Sequence, residues 1–580
     1  MKSLIDREQS FPSIDSATWR RQVEDELKGQ DFDRALVTRL LEGIDLAPLY
    51  DSAPECVVPL GGTRSRTWEP RSASRLGVAL GEEPAFVALE GEAALESLPS
   101  GVVGLSLPGR ARMSTALEML RPCEPLTLQE LRLGIDPLGA LARHGVDEGP
   151  LAELAGEWSE LPELSGVDTV CALRVDTGPY HDAGADGVQE LAIALSTLHA
   201  YLMHLPEGDS NVPIEVSFEV GKNVALEIAK LRAARVSIAK LLSAWKRDVS
   251  TVLHANTSRR MLTRYDPWVN VLRGTNAVFA AMVAGADSIL CRPYDERLGE
   301  PSAQALRLAR NTQLVLAKEG HLDRVRDPAR GAFAIESLTD TLARRAWALF
   351  QEIEEEGGLE DALRSGSLRE RIDRAHEERA KRIASRREPI TGVSEFPLTG
   401  EKLPRREKRT ETTSSPSTVL APFVLRADAG LFEALRDAAQ GDPLLAFLAT
   451  LGPRAEHGPR SSWTHNLLLA GGFEVKVHEG TGDRSPEEAA GELAAAAKQS
   501  GARVLCLCAS DERQATHGSA AVRALAELAP LELVWAGRPG ERESELRALG
   551  VTDFCFAGGD VLALLKKLLE ATGRTKEGVK

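Results

Sequence analysis

The C-terminal rhythm of the chain constrains its fold more than any other feature. Between residues 421 and 580, short apolar runs at Leu444–Thr450, Phe473–Val477, Val504–Ala509, Leu531–Ala536 and Thr552–Phe556 are separated by Ala- and Leu-rich stretches. These stretches, at Ser485–Ser500, Gly518–Leu528, Glu541–Leu549 and Val561–Thr572, have helical character. Short, continuously apolar strands need cover on both faces, and intervening helices supply it for a parallel sheet. The pattern predicts a flavodoxin-like doubly wound α/β domain. Its ligand site is expected beyond the carboxyl ends of the strands, where the strand order reverses.

A second rhythm occupies residues 68–396. Candidate strands are Phe86–Leu89, Val103–Leu107, Leu131–Ile135, Val170–Val175, Ile214–Val220, Thr251–Ala255 and Ser288–Cys291, with long helical stretches such as Gly184–Met203 and Lys222–Lys246. This repetition suits a (β/α)₈ TIM barrel with insertions, although the first strand-like run is weak and the count of eight is inferred. Residues 1–67 carry helical patterns at Ala17–Lys28 and Phe32–Glu42, expected as an arm that contacts another subunit or domain. Residues 397–420 read as a linker: five Lys and Arg fall within Lys402–Arg409, followed by a Ser/Thr/Pro run with almost nothing apolar to bury. A barrel and a doubly wound domain both place ligands at their strand ends. Packed face to face they would enclose a chamber shielded from water.

Composition narrows the partners. With 70 Lys+Arg against 86 Asp+Glu the net charge is −16, which argues against general nucleic-acid binding. Aromatic residues make up only 5%, too few for stacking along single strands. The seven cysteines are scattered, and Cys506 and Cys508 read as strand residues in a reduced core without further metal ligands nearby. The polar N-terminus and the lack of a long apolar stretch point to the cytoplasm, with no membrane contact.

Several phrases carry a resemblance. Leu253–Arg273 (LHANTSRRMLTRYDPWVNVLR), Ala309–Gln313 (ARNTQ), His321–Pro328 (HLDRVRDP) and Val220–Arg235 resemble the barrel of methylmalonyl-CoA mutases. Trp19, Leu27–Gly29 and Gly43–Tyr50 (GIDLAPLY) resemble the family's N-terminal arm, and Pro389–Pro397 (PITGVSEFP) resembles a phrase of its small, or beta, subunit. The resemblance implies adenosylcobalamin chemistry that interconverts methylmalonyl-CoA and succinyl-CoA. It also implies a heterodimer with a large, or alpha, subunit. In such a complex the protein supplies orientation and exclusion of water around the cofactor.

The family's catalytic chains display D-x-H-x-x-G in the first loop of the C-terminal domain. There the His binds cobalt and the Asp holds it. The matching loop is Gly452–Arg460 (GPRAEHGPR), which puts His457 at the cobalt position, Ala455 at the Asp and Arg460 at the Gly. The family's Ser-x-Leu reads Cys508-Ala509-Ser510, and its Gly-Gly reads Ala536-Gly537. In the barrel, R-x-H-x-Q-T-S reads Val252 to Ser258, keeping His254 but placing Val252 and Asn256 at the Arg and Gln. Tyr180 and His181 lie too close to Ala183-Gly184-Ala185 to match the family's Tyr-His, and nothing around Trp68–Arg71 matches its entrance tyrosine.

The expectation is therefore a non-catalytic small subunit. No residue of this chain is assigned to catalysis or to a metal, and His457 is a vestigial cofactor contact. Adenosylcobalamin and acyl-CoA would be bound by the large subunit. Two alternatives stand beside it: a divergent active acyl-CoA mutase that uses His457 as cobalt ligand, and a chaperone-like module that loads cofactor transiently. Gly101–Pro108 lacks a phosphate loop, Gln351–Glu356 reads as a solvated helix face, and Asp266-Pro267 and Asp327-Pro328 read as turns. No Cys/His/Ser grouping reads as a hydrolase triad.

Overall fold

Eight parallel strands close into a TIM-barrel-like cylinder in the computed structural model: β1 (Glu69–Ala73), β2 (Ala85–Ala88), β3 (Val102–Ser106), β4 (Leu128–Ile135), β5 (Val167–Asp176), β6 (Ile214–Val220), β7 (Thr251–Thr257) and β8 (Ser288–Cys291). The structure describes residues 14–52 and 54, strands 69–73 and 85–88, and residues 102–107, 112–120, 128–156 and 167–205. It also describes 213–574 apart from 405–417 and positions 323, 326, 399, 402 and 442. Each strand pairs with its sequence neighbour, and β8 pairs with both β7 and β1, so the sheet has no free edge. β1, the run Glu-Pro-Arg-Ser-Ala, has no apolar pattern and contains a proline. It is a strand because β8 and β2 hold it from both sides, with Ile289 opposite Pro70 and Phe86 opposite Arg71.

The lining of the barrel follows the two-residue period of a strand. In β6, Val216 and Phe218 join the apolar shell under the helices. Glu215, Ser217 and Glu219 point to the axis, where Glu215 meets Arg132 of β4 and Arg174 of β5. Arg132 also donates to Ser288 Oγ of β8, at 3.2 Å, a contact made across the cylinder.

In the N-terminal segment the helix expected over Phe32–Glu42 stops at Leu36. Val37 is extended, Thr38–Arg39 pairs antiparallel with Asp45–Leu46, and Gly43 turns at φ 71°. The reason is burial: the turn brings Leu40 and Ile44 into the apolar shell of the barrel. Arg345 and Arg382 then hold this ribbon by donating to the Glu42 and Arg39 carbonyls, both at 2.9 Å.

Residues 445–555 form a five-stranded parallel sheet of β9 (Leu445–Thr450), β10 (Glu474–Val477), β11 (Val504–Cys508), β12 (Glu532–Ala536) and β13 (Asp553–Cys555), in the order β10-β9-β11-β12-β13. Alternate residues feed two cores. Leu448, Cys506, Cys508, Val534 and Cys555 pack on one face, while Phe447, Leu505, Leu507, Trp535 and Phe554 pack on the other. The expected strands are reproduced to within about a residue, as continuous apolar runs allow. Helix Pro486–Ser500 starts with a capping box in which Ser485 and Glu488 exchange bonds. Ser485→Ala is expected to cost about 1 kcal/mol in urea unfolding.

The sheet is tied to the barrel. Helix Gly430–Ala438 presents Glu433 and Asp437 to Arg264 at 3.0 and 2.6 Å, and Tyr265 shares a core with Leu448 and Phe473. Residues 423–428 lie on the barrel, with the Arg426 amide donating to the Asp182 carbonyl at 2.8 Å and the Asp428 amide to Arg260 at 3.0 Å. No helix among the described residues is long and apolar enough to cross a membrane.

Candidate functional site

The strand order reverses at β9, which puts the crevice between the loops after β9 and β11. The segment Gly452–Arg460, expected as a loop, is largely helical: helix Arg454–Ala470 begins inside it and tolerates Pro459. His457 is therefore buried on a helix. Its Nδ1 lies 3.2 Å from Ser461 Oγ, and its Nε2 lies 3.3 Å from the Glu479 carbonyl. Gly480 permits this approach, because a Cβ there would stand 2.8 Å from His457 Nε2. Burial holds the imidazole below its usual value.

Arg460 spans the crevice. Its guanidinium donates to the Ala509 carbonyl at 2.7 Å, to Gln514 Oε1 at 2.8 Å and to Asp511 at 2.6 Å. Gly537 lies alongside, where an added Cβ would be 3.4 Å from Arg460 Nη1. Arg513 binds Glu456 with both nitrogens, at 2.9 and 3.0 Å, and closes the mouth beside it. Ser510 caps helix Asp511–Ala526 by accepting from the Arg513 amide. Arg460 and His457 thus both bond to groups of this chain: Arg460 to the Ala509 carbonyl, Gln514 and Asp511, His457 to Ser461 and the Glu479 carbonyl.

In the barrel, His254 lies between Ser288 Oγ at 2.8 Å and Asn256 Oδ1 at 3.0 Å, and Asn256 donates to Ser217 Oγ at 3.0 Å. Burial pulls His254 down to about 4, so its ring is neutral. Glu215 is buried too, yet Arg174 and Arg132 hold its carboxyl well below the usual range. Glu219 has the opposite balance. Burial pushes it up to about 8 although Arg292 lies 3.4 Å away, and its Oε2 has no hydrogen-bond partner.

Tyr180 and His181 sit on a short helix, Gly178–Ala183, at the end of β5. Tyr180 is 1% exposed and its ring packs at 5.4 Å on Phe423. His181 reaches Ser258 Oγ, 77 positions away, at 2.7 Å, and its other nitrogen is hydrogen-bonded to Glu190. All three border a cavity of about 680 Å³ whose wall also includes Glu42, Lys222, Lys230, Arg260 and Arg379. The sequence reading missed Glu190, Lys230 and the axial set Arg132, Arg174, Glu215. One signal was available, the polar residues at alternate positions of the otherwise apolar Ile214–Val220.

The sequence profile of a family described as methylmalonyl-CoA mutase matches residues 165–420. A methylmalonyl-CoA mutase small subunit of Streptomyces virginiae is 37% identical and covers 97% of this chain and 97% of that protein. The small subunit of Propionibacterium freudenreichii subsp. shermanii is 31% identical, covering 98% of this chain and 96% of its own length. A methylmalonyl-CoA mutase of Rhizobium meliloti (strain 1021) is 33% identical over 38% of this chain. Similarity this even along the length leaves one conclusion: the chain belongs to the methylmalonyl-CoA mutase family, among its small subunits.

Proposed function

We propose that the chain is the non-catalytic small subunit of a heterodimeric, adenosylcobalamin-dependent methylmalonyl-CoA mutase. A large subunit would bind the cofactor and acyl-CoA and carry the isomerisation, while this chain completes and stabilises the complex in the cytoplasm. Its parts would be an arm (residues 1–67), a TIM-barrel mutase domain (68–396), a linker (397–420) and a flavodoxin-like, degenerate cobalamin-binding domain (421–580).

The observation that carries the reading is the Arg460 guanidinium, bonded to Ala509, Gln514 and Asp511 across the crevice where a cofactor tail would enter. The residues present do not fit the cofactor. A cobalt ligand needs one imidazole nitrogen free and the other held by an acid. His457 has partners at both nitrogens, and Ala455 stands at the acid position. The barrel supports the same reading. Substrate binding there would need a positive clamp beside a tyrosine and a histidine, whereas His254 and Tyr180 are buried in contacts with their own chain.

Absorbance spectroscopy and gel filtration test this. The purified chain is expected to retain no corrinoid after mixing with adenosylcobalamin and to isomerise no methylmalonyl-CoA. Mixed with the large subunit it should form a stable 1:1 complex with mutase activity that His457→Ala leaves unchanged. Tight adenosylcobalamin binding by the isolated chain would overturn the reading in favour of an active mutase. A complex that dissociates on the column would favour the loading module.

A further inference from the structure

The fold assembles a serine–histidine–carboxylate relay from residues that show no such grouping in sequence. Ser258 follows β7, and its amide donates to the Val220 carbonyl at 2.9 Å, which fixes the serine at the strand end. Its hydroxyl lies 2.7 Å from His181 Nε2. His181 Nδ1 is hydrogen-bonded to Glu190 Oε1. Glu190 Oε2 accepts from Lys230 Nζ at 3.2 Å, and Lys230 is itself held by the Glu219 carbonyl at 2.6 Å. Arg260 donates to the His181 carbonyl at 2.6 Å and fixes the short helix that bears the ring. A nucleophile bonded to a base, with the base oriented by an acid, is recognised by this geometry whatever the chain order.

The relay is buried, with Ser258 1% and His181 2% exposed, and it lies against a cavity. Ser258, His181 and Glu190 border the cavity of about 680 Å³ at the barrel mouth, which is large enough for a small substrate. Lys222 and Arg260 border it as well, Arg260 already donating to the His181 and Ala185 carbonyls. Burial and the Arg260 charge hold His181 well below its usual value, so the resting ring is neutral, with Nε2 facing the Ser258 hydroxyl. Burial raises the Glu190 carboxyl, while the Lys230 ammonium works to keep it ionised.

We propose that this cavity is an acyl-transfer site in which Ser258 is the nucleophile, His181 the general base and Glu190 its positioning residue, acting on a small carboxylic ester or thioester. Ser258 Oγ bonds to the acyl carbon and its proton moves to His181 Nε2. The C–O or C–S bond to the leaving group breaks, and the proton passes to the departing oxygen or sulfur. Water then gives a proton to Nε2 and attacks the acyl-serine, releasing the carboxylic acid and restoring the hydroxyl. The activity uses no cobalamin and is independent of the mutase reading, so either can fail without the other.

The test treats the full-length chain with diisopropyl fluorophosphate and, separately, with p-nitrophenyl acetate. The expected results are one phosphoryl adduct, mapped to Ser258 by peptide mass, and p-nitrophenol release that the same reagent abolishes. His181→Gln should slow labelling about 100-fold, and Glu190→Gln should slow it by a smaller factor. Ser258→Cys should be alkylated by iodoacetamide at position 258, which checks access to the cavity with a different nucleophile. The proposal is overturned by an unlabelled Ser258 in the folded wild-type chain, by an adduct on another serine only, or by a labelling rate that His181→Gln leaves unchanged.

Discussion

Glu215→Leu is expected to destabilise the barrel by about 3–5 kcal/mol, the usual cost of removing one partner from a buried ion pair. Glu215 is 1% exposed and faces Arg132 and Arg174 on the barrel axis. Arg132 keeps Glu130 as a partner. Arg174 also donates to the Leu107 carbonyl, at 3.0 Å. The double variant Glu215→Leu/Arg174→Met should recover part of the loss, because it also removes one of the two buried guanidinium groups that faced the carboxylate. The pH dependence has a definite sign. The folded carboxyl is depressed below its ordinary 4.5, so its contribution is complete above that value and is lost as pH falls toward the folded value. Urea unfolding at pH 7 and pH 4 checks both points. A single variant as stable as wild type at pH 7 would show that the axial pair contributes nothing.

Glu219→Gln should act in the opposite direction and stabilise the chain at alkaline pH. Burial raises the Glu219 carboxyl from 4.5 to about 8. A raised folded value means that the native state holds a proton the unfolded chain has released. Stability is then highest below pH 4.5 and falls as pH climbs toward 8, by about 1.4 kcal/mol per pH unit where the difference is one full proton. Asp136 adds to the slope: burial and the neighbouring Asp176 raise it from 3.8 to about 7, against the hydrogen bond from Tyr201. Glutamine at 219 removes its share across the window and leaves that of Asp136. Urea midpoints at pH 5, 7 and 9 should converge on wild type at the acid end and exceed it at pH 9. A pH slope identical to wild type would refute the assignment.

Legibility varied with how local the cause was. The strands β9, β11 and β12 announce themselves because a strand buried on both faces is apolar nearly throughout, whereas β10, at the sheet edge, is mostly exposed. β1 does not announce itself, since Glu-Pro-Arg-Ser-Ala becomes a strand only when β2 and β8 bracket it. The helix expected over Phe32–Glu42 failed because Leu40 and Ile44 gain more by burial on the barrel than by helical continuation. The supposed loop at Gly452–Arg460 is helical, a change that carries Arg460 to the end of β11.

By itself, the amino-acid sequence determined the order of the two α/β units and the family, because each is written in periodicity or in contiguous motifs. Tertiary structure alone decided what fills the spaces those motifs border. Arg132 meets Ser288 across 156 positions, and His181 meets Ser258 across 77. A closed barrel brings opposite strands within side-chain reach, and charges desolvated there must find partners among whatever residues the closure delivers.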